Sequence, residues 1–421
     1  MSLVELRDAA TRVLDENWTG RSTVPSRSLY PHQWSWDSAF IAIGLRHAVQ
    51  QRAQIELESL FASQWPDGRI PHINFSPRVP RDAYFPGPDF WQASTPGGVE
   101  TSGIVQPPVH ALAVWLTHQA DEAESVRRDF LAGLYPKLVA WHGYLRERRD
   151  LGGRGLVAVV HPWESGMDNS PAWDEALARV EPAPPDSFTR RDTEHASGTD
   201  RPTDLDYGRY VRLAATYRDH GYDDTRTPFE FALEDPCFNA LLIVSEHALA
   251  SIAEELSLDP APHLTAAAEL TTALERLFAN GNFHALDLHD DRLVGADTIS
   301  GLVPLLVPEL RQVDELLATA RGPKFQLGKV KLVPSYDLTG PAFDRSRYWR
   351  GPSWFNTAWL IHRGLAQLGY DEAAGVLRND VLALAAETTF AEYVDPFTGA
   401  ARGARDFSWT AALTLDLLRS T

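Results

Sequence analysis

Between His161 and Glu175 the chain reads HPWESGMDNSPAWDE, which sets Glu164, Asp168, Asp174 and Glu175 among Trp163 and Trp173. Burying all of these as anions would cost on the order of several kcal/mol each. Capping accounts for part of the segment: Asp168-Asn169-Ser170-Pro171 can open a helix, where acids and a first-turn proline are favourable. That reading suits Asn169 and Ser170 better than Asp168. A carboxyl group pressed against indole is partly desolvated, so its pKa rises and it can hold a proton near neutral pH. Such a group is a general acid. Acid-catalysed cleavage of an acetal needs a second carboxyl group as its partner. The best candidate is Glu392 in FAEYVDPFTGA, between Phe390 and Tyr393 and just ahead of a turn closed by Asp395, Pro396 and Gly399.

Aromatic residues beside polar ones recur elsewhere. LYPHQWSWDSAF offers Tyr30, Gln33, Trp34, Trp36 and Asp37, and RSRYWRGPSWFNTAWL offers Tyr348, Trp349, Trp354 and Asn356. Thirteen Trp against two Met is an unusual ratio. Sugars ask for this combination, because their C–H faces stack on rings while their hydroxyls need donors and acceptors. Asp37 has a second reading as the N-cap of a helix starting at Ser38, and the two roles are compatible.

Composition removes other classes. The formal net charge is −18, from 57 acidic and 39 basic residues, which repels nucleic acid and anionic membranes. Cys237 is the only cysteine, so neither an intrachain disulfide nor a multi-cysteine metal site can form. The fourteen His make no HExxH pattern, LGGRG lacks the features of a phosphate loop, and no GxSxG elbow occurs. The expectation is an enzyme without metal or cofactor whose partner is a small-molecule glycoside. A homo-oligomer is compatible with this composition. The charged, helix-like N-terminus has no apolar signal region, and no run approaches the ~20 apolar residues of a membrane span. A cytoplasmic location is therefore expected.

Positioning falls to helices. Apolar residues recur at helical spacing in SAFIAIGLRHAVQQRAQIELESLF, DPCFNALLIVSEHALASIAEEL, GPSWFNTAWLIHRGL and FSWTAALTLDLL. Strand alternation is scarce, with Arg154 to Trp163 as one short extended candidate. Ordinary-length helices joined by long loops pair antiparallel, and such pairs can close into an α/α toroid whose loops gather the motifs at one end. The chain is expected to be a single all-α catalytic domain over 1–421. Two long helix-poor stretches, 69–103 and 179–210, read as flaps over its site.

Taken together, ESGMDNSPAWD, QWSWDSAF, YWRGPSWFNTAWL and AEYVDPFTG resemble glycoside hydrolase family 63, in particular its small bacterial members that act on glycosides of glycerate. The four motifs spread from about residue 30 to beyond 390, so the resemblance covers most of the chain. It implies an (α/α)6 toroid and an inverting hydrolase of a small α-glycoside such as 2-O-mannosyl- or glucosylglycerate. It makes Asp168 the general acid and Glu392 the general base. Tyr30, Trp34, Trp36, Asp37, Gln106, Tyr348, Trp349 and Trp354 would line the sugar site. Arg209 and Tyr84, one from each flap, would meet the glycerate end, with Arg78, Arg81 and Arg201 as competitors for the cationic role. A trehalase, an oligosaccharide α-glucosidase or a non-catalytic sugar-binding toroid are the alternatives on the same frame.

Overall fold

The computed structural model describes residues 1–193 and 198–419. Its most apolar helices are buried on every side, as expected of helices without a polar face. All eleven residues of Ser35–Leu45 are buried, as are all ten of Ser408–Leu417. Pro236–Glu255 is long and apolar enough to cross a membrane, yet most of it is packed inside the protein as a core helix. Its start is fixed locally: Pro236 occupies the first helical position and Asp235 accepts from Phe238 N at 2.8 Å.

These inner elements touch in a closed ring. Ser35–Leu45 packs on His110–Ala120, which packs on Pro236–Glu255. The ring continues through the 3₁₀ segment Ile299–Leu306 and the helix Phe355–Gln367 to Ser408–Leu417, which returns to Ser35–Leu45. Each inner member carries an outer partner. In the same order these are Gln50–Phe61, Phe130–Arg148, Ala261–Leu274, Val313–Arg321, Asp371–Glu387 and Leu3–Glu16. One apolar core runs through the arrangement from Leu6 to Leu417.

The all-helical expectation needs one amendment: two-residue strands form four small sheets among the described residues. Gln33–Trp34 pairs antiparallel with Ile73–Asn74, which continues to Glu100–Thr101 and Ala93–Ser94. Ser353–Trp354 pairs with Tyr393–Val394, and that strand with Ala401–Arg402. The extended piece expected near Val159 is the strand Ala158–Val159, paired with Leu233–Glu234. Two of these strands lead directly into inner helices, at Ser35 and Phe355, and a third reaches the helix at Pro236 through its cap residue Asp235. They are too short to carry an alternating sequence pattern, and they hold the loops at the ring's helix-start end.

Candidate active site

Glu392 stands immediately before the strand Tyr393–Val394 and is 1% exposed. Its Oε1 accepts from the hydroxyls of Tyr30 and Tyr348, each at 3.1 Å, and its Oε2 accepts from Ala404 N at 3.0 Å. The guanidinium of Arg201 lies 4.0 Å away. Every one of these neighbours is a donor. Gly403, at φ +65°, makes the close approach possible, since a Cβ there would fall 2.3 Å from Glu392 Oε2.

Asp168 reaches the same pocket from a tightly pinned loop. A 3₁₀ turn, Pro162–Ser165, ends at Gly166 with φ +71°, where any Cβ would strike the Trp36 ring at 2.6 Å. Ser165 Oγ accepts from Met167 N at 3.0 Å, and Ser170 caps the next 3₁₀ turn. The Asp168 carbonyl accepts from Tyr210 Oη at 2.7 Å, and the Met167 carbonyl accepts from Trp173 Nε1 at 2.8 Å. The backbone is thus held on both sides while the carboxyl group faces the pocket. Burial, opposed by Arg201 and reinforced by Glu392 and Asp192, pushes the Asp168 carboxyl up to about 7. That is the protonation an acid catalyst needs near neutrality.

Beneath this loop Glu164 lies fully buried against Arg149, with two N–H···O contacts of 2.8 Å. Its oxygens also accept from Val105 N at 3.3 Å and Val160 N at 2.8 Å. Asp174 pairs with Arg350 and Glu175 with Arg292. Of the four acids in the segment, only Asp168 faces the pocket.

The pocket, a cavity of about 750 Å³ including its open mouth, is walled by Tyr30, Trp34, Trp36, Asp37, Tyr84 and Gln106 from the first quarter of the chain, with Tyr348 from the far end. Gln106 Oε1 accepts the backbone N–H of Trp36 at 3.1 Å, so one wall residue fixes another. Asp37 does not cap the helix: the helix begins at Ser35, which puts Asp37 inside its first turn. Burial and the proximity of Glu392 push its carboxyl well above the ordinary range. Asp37 therefore holds a proton more tightly than a free carboxyl group does.

Three expected wall residues lie elsewhere. Trp349 and Trp354 stack on each other at 3.8 Å and 2°, and Trp354 stacks in turn on Tyr393. Both are buried one layer behind Tyr348, which meets Trp354 edge-on at 4.9 Å. They brace the wall without forming it. Arg209 sits within the helix Asp204–Asp219, where its Nε donates to the Val180 carbonyl and its guanidinium lies 3.7 Å from Asp206. The cation on the pocket is Arg201, just ahead of that helix. It is 4% exposed, donates to Tyr30 Oη at 3.0 Å and lies 4.5 Å over the Tyr348 ring. Its Nε and second NH2 group have no hydrogen-bond partner among the described residues. Arg81 is spent on Asp89 and Glu100, and Arg78 reaches the Thr19 carbonyl.

Of the two indoles expected to desolvate Asp168, Trp163 lines the pocket and Trp173 serves the loop behind it. Sequence reasoning passed over His72, Asp192, Tyr207, Phe407 and Trp409, all on the wall. For Trp409 a signal existed, since FSWTAALT opens an inner helix much as QWSWDSAF does.

One carboxyl group pushed up to about 7 and another ringed by donors, together in an aromatic pocket, make the kind of site a glycoside hydrolase uses. The chain belongs to the mannosylglycerate hydrolase MGH1-like glycoside hydrolase domain family, whose family model matches residues 30–410. It is 41% identical over 425 aligned positions to a mannosylglycerate hydrolase of Rubrobacter radiotolerans, covering 97% of this chain and 96% of that one. It is also 38% identical to a glucosylglycerate hydrolase of Mycolicibacterium hassiacum, covering 98% of each. Among solved structures, a family 63 mannosylglycerate hydrolase of Thermus thermophilus in complex with Tris and D-glycerate matches with a TM-score of 0.91 at 39% identity. That match covers 98% of this chain and all of the other.

Proposed function

We propose that this chain hydrolyses a 2-O-α-glycoside of glycerate, with mannose or glucose as the sugar, by inversion at the anomeric carbon. The pairing of Asp168, pushed up to about 7, with the donor-ringed Glu392 across one pocket carries the reading. The relatives named for mannosylglycerate and glucosylglycerate supply the substrate class. Asp168 gives its proton to the glycosidic oxygen as the bond to the anomeric carbon breaks. A water whose proton passes to Glu392 attacks from the opposite face. Inversion calls for carboxyl groups about 6.5–9.5 Å apart, leaving room for that water. The chemistry uses these side chains alone, with no metal in any step.

Tyr30, Trp34, Trp36, Asp37, Gln106 and Tyr348 form the sugar site in this reading, and Tyr84 borders the aglycone. Arg201 replaces Arg209 as the cation for the glycerate carboxylate, because its unspent donors stand on the pocket. The closed ring of six inner elements with six outer partners supports an (α/α)6 toroid as one catalytic domain, with one inner member wound as 3₁₀ helix. The segments 69–103 and 179–210 act as its flaps: Tyr207, in the helix that begins within the second flap, donates to Phe85 O in the first at 2.8 Å. We place the enzyme in the cytoplasm, where a small soluble glycoside would reach it.

The test is parallel hydrolysis of mannosylglycerate, glucosylglycerate and trehalose. Glycerate glycosides should be cleaved best, and Arg201→Ala should raise KM for them by about tenfold or more, the loss of a hydrogen-bonded charge contact. Trehalose as the best substrate would overturn the reading.

A further inference from the structure

The pocket holds a carboxylate that the proposed reaction does not use. Asp192 lies on the wall, on the flap that also supplies Arg201. Arg190 grips it in a bidentate pair, Nε to Oδ1 at 2.8 Å and the NH2 group to Oδ2 at 2.7 Å. Arg190 is itself anchored, donating to Asp204 at 2.9 Å and to the Pro202 carbonyl at 3.0 Å, with its guanidinium 4.4 Å over the Tyr207 ring. A bidentate guanidinium leaves each carboxylate oxygen with further lone-pair capacity. Asp192 is therefore a rigidly aimed acceptor.

Contacts set its position: Arg190, which holds Asp192, lies over the Tyr207 ring, and Tyr207 Oη donates at 2.8 Å to the carbonyl of Phe85, the residue after Tyr84, so Asp192 stands on the flap side of the pocket. Asp192 acts on Asp168, Tyr84 and Tyr207. Asp37, also on the wall, feels Glu392 and Glu56 instead. The general acid must touch the glycosidic oxygen, which borders the aglycone, so an acceptor grouped with Asp168 and Tyr84 faces the aglycone. A glycerate aglycone has two polar ends, a carboxylate and a primary hydroxyl. Arg201 offers cationic donors and Asp192 an anionic acceptor, and both come from one flap.

We propose that Asp192 is a specificity-determining residue that accepts a hydrogen bond from the primary hydroxyl of the aglycone, while Arg201 takes its carboxylate. This rests on the glycerate-glycoside reading and extends it to why a hydroxy-acid aglycone is selected by its hydroxyl. A substrate without that hydroxyl forgoes one hydrogen bond to a charged acceptor and covers the remaining lone pairs of Asp192 without satisfying them.

The experiment compares kcat/KM for two glycosides of the same sugar, one carrying glycerate and one carrying lactate, which lacks the primary hydroxyl. Wild-type enzyme should prefer glycerate by about tenfold or more. In Asp192→Ala the ratio should fall to near one, and Asp192→Asn, which keeps an acceptor oxygen, should lie between. Because both substrates are assayed on the same preparation, the ratio is insensitive to the folded fraction. An unchanged ratio in Asp192→Ala, or no preference in the wild type, overturns the proposal. Failure of the wild type to cleave either glycoside overturns the glycerate reading instead.

Discussion

Gly403 packs so closely on Glu392 that a methyl group at position 403 would lie 2.3 Å from Oε2 and 2.9 Å from Cβ of the carboxylic side chain. Gly403 also holds φ at +65°, a conformation that costs other residues about 1–2 kcal/mol. Gly403→Ala should therefore push Glu392 off its three donors. We predict a fall in kcat of about a hundredfold or more, the usual consequence of misplacing a catalytic group by about 1 Å. Steady-state kinetics on folded variant, checked by circular dichroism, measures it, and near-normal kcat would show that Glu392 tolerates the shift.

The pH dependence follows from Asp168. With its carboxyl pushed up to about 7, the acid form required for proton donation is lost above neutrality. We expect kcat/KM, which reports the free enzyme, to bend downward near pH 7 and to lose about tenfold per unit beyond it. Asp168→Asn should abolish turnover while retaining substrate binding by calorimetry.

The same shift has a cost in stability. The folded-state pKa of Asp168 lies above its ordinary value of 3.8, so the native state holds a proton that the unfolded chain has released between those pH values. The stabilisation is complete below about pH 4 and is lost as pH rises through about 7. Asparagine does not titrate. Asp168→Asn should thus gain on the wild type as pH rises from 4 to 8, by up to about 4 kcal/mol and by less where pocket water screens the charge. Melting temperatures across that range test it, and a constant difference would contradict it.

Arg149 and Glu164 are fully buried and bidentate, and Arg149 also donates to Asp224 at 2.8 Å. Removing one member strands the others without water. Arg149→Ala should cost about 3–5 kcal/mol in urea unfolding. Replacing the exposed Arg292, whose partner Glu175 is also exposed, should cost about 1 kcal/mol or less.

Much of the site was legible because the chemistry was written in local strings. Asp168 beside indoles, Glu392 ahead of its turn and the QWSWD aromatics all reach one pocket. The errors arose where tertiary context decides. Trp349 and Trp354 carry the same local signature as Trp34 and Trp36, but stacking on each other and on Tyr393 commits them to the layer behind. Arg201 and Arg209 are eight positions apart on one flap, and the start of a helix at Asp204 separates their directions. No periodicity in a loop announces which arginine turns inward. Inner helices were visible as apolar residues recurring at helical spacing, although burial on every side shows only in the fold, whereas two-residue strands leave no pattern to read.

In the proposed reaction Asp168 and Glu392 act as acid and base on opposite faces of the anomeric carbon. Proton NMR of the sugar first released from an α-glycoside of glycerate, recorded before mutarotation, tests it most directly. The β anomer is expected as the initial product. The α anomer would mean a retaining mechanism and would contradict the roles assigned to both carboxyl groups.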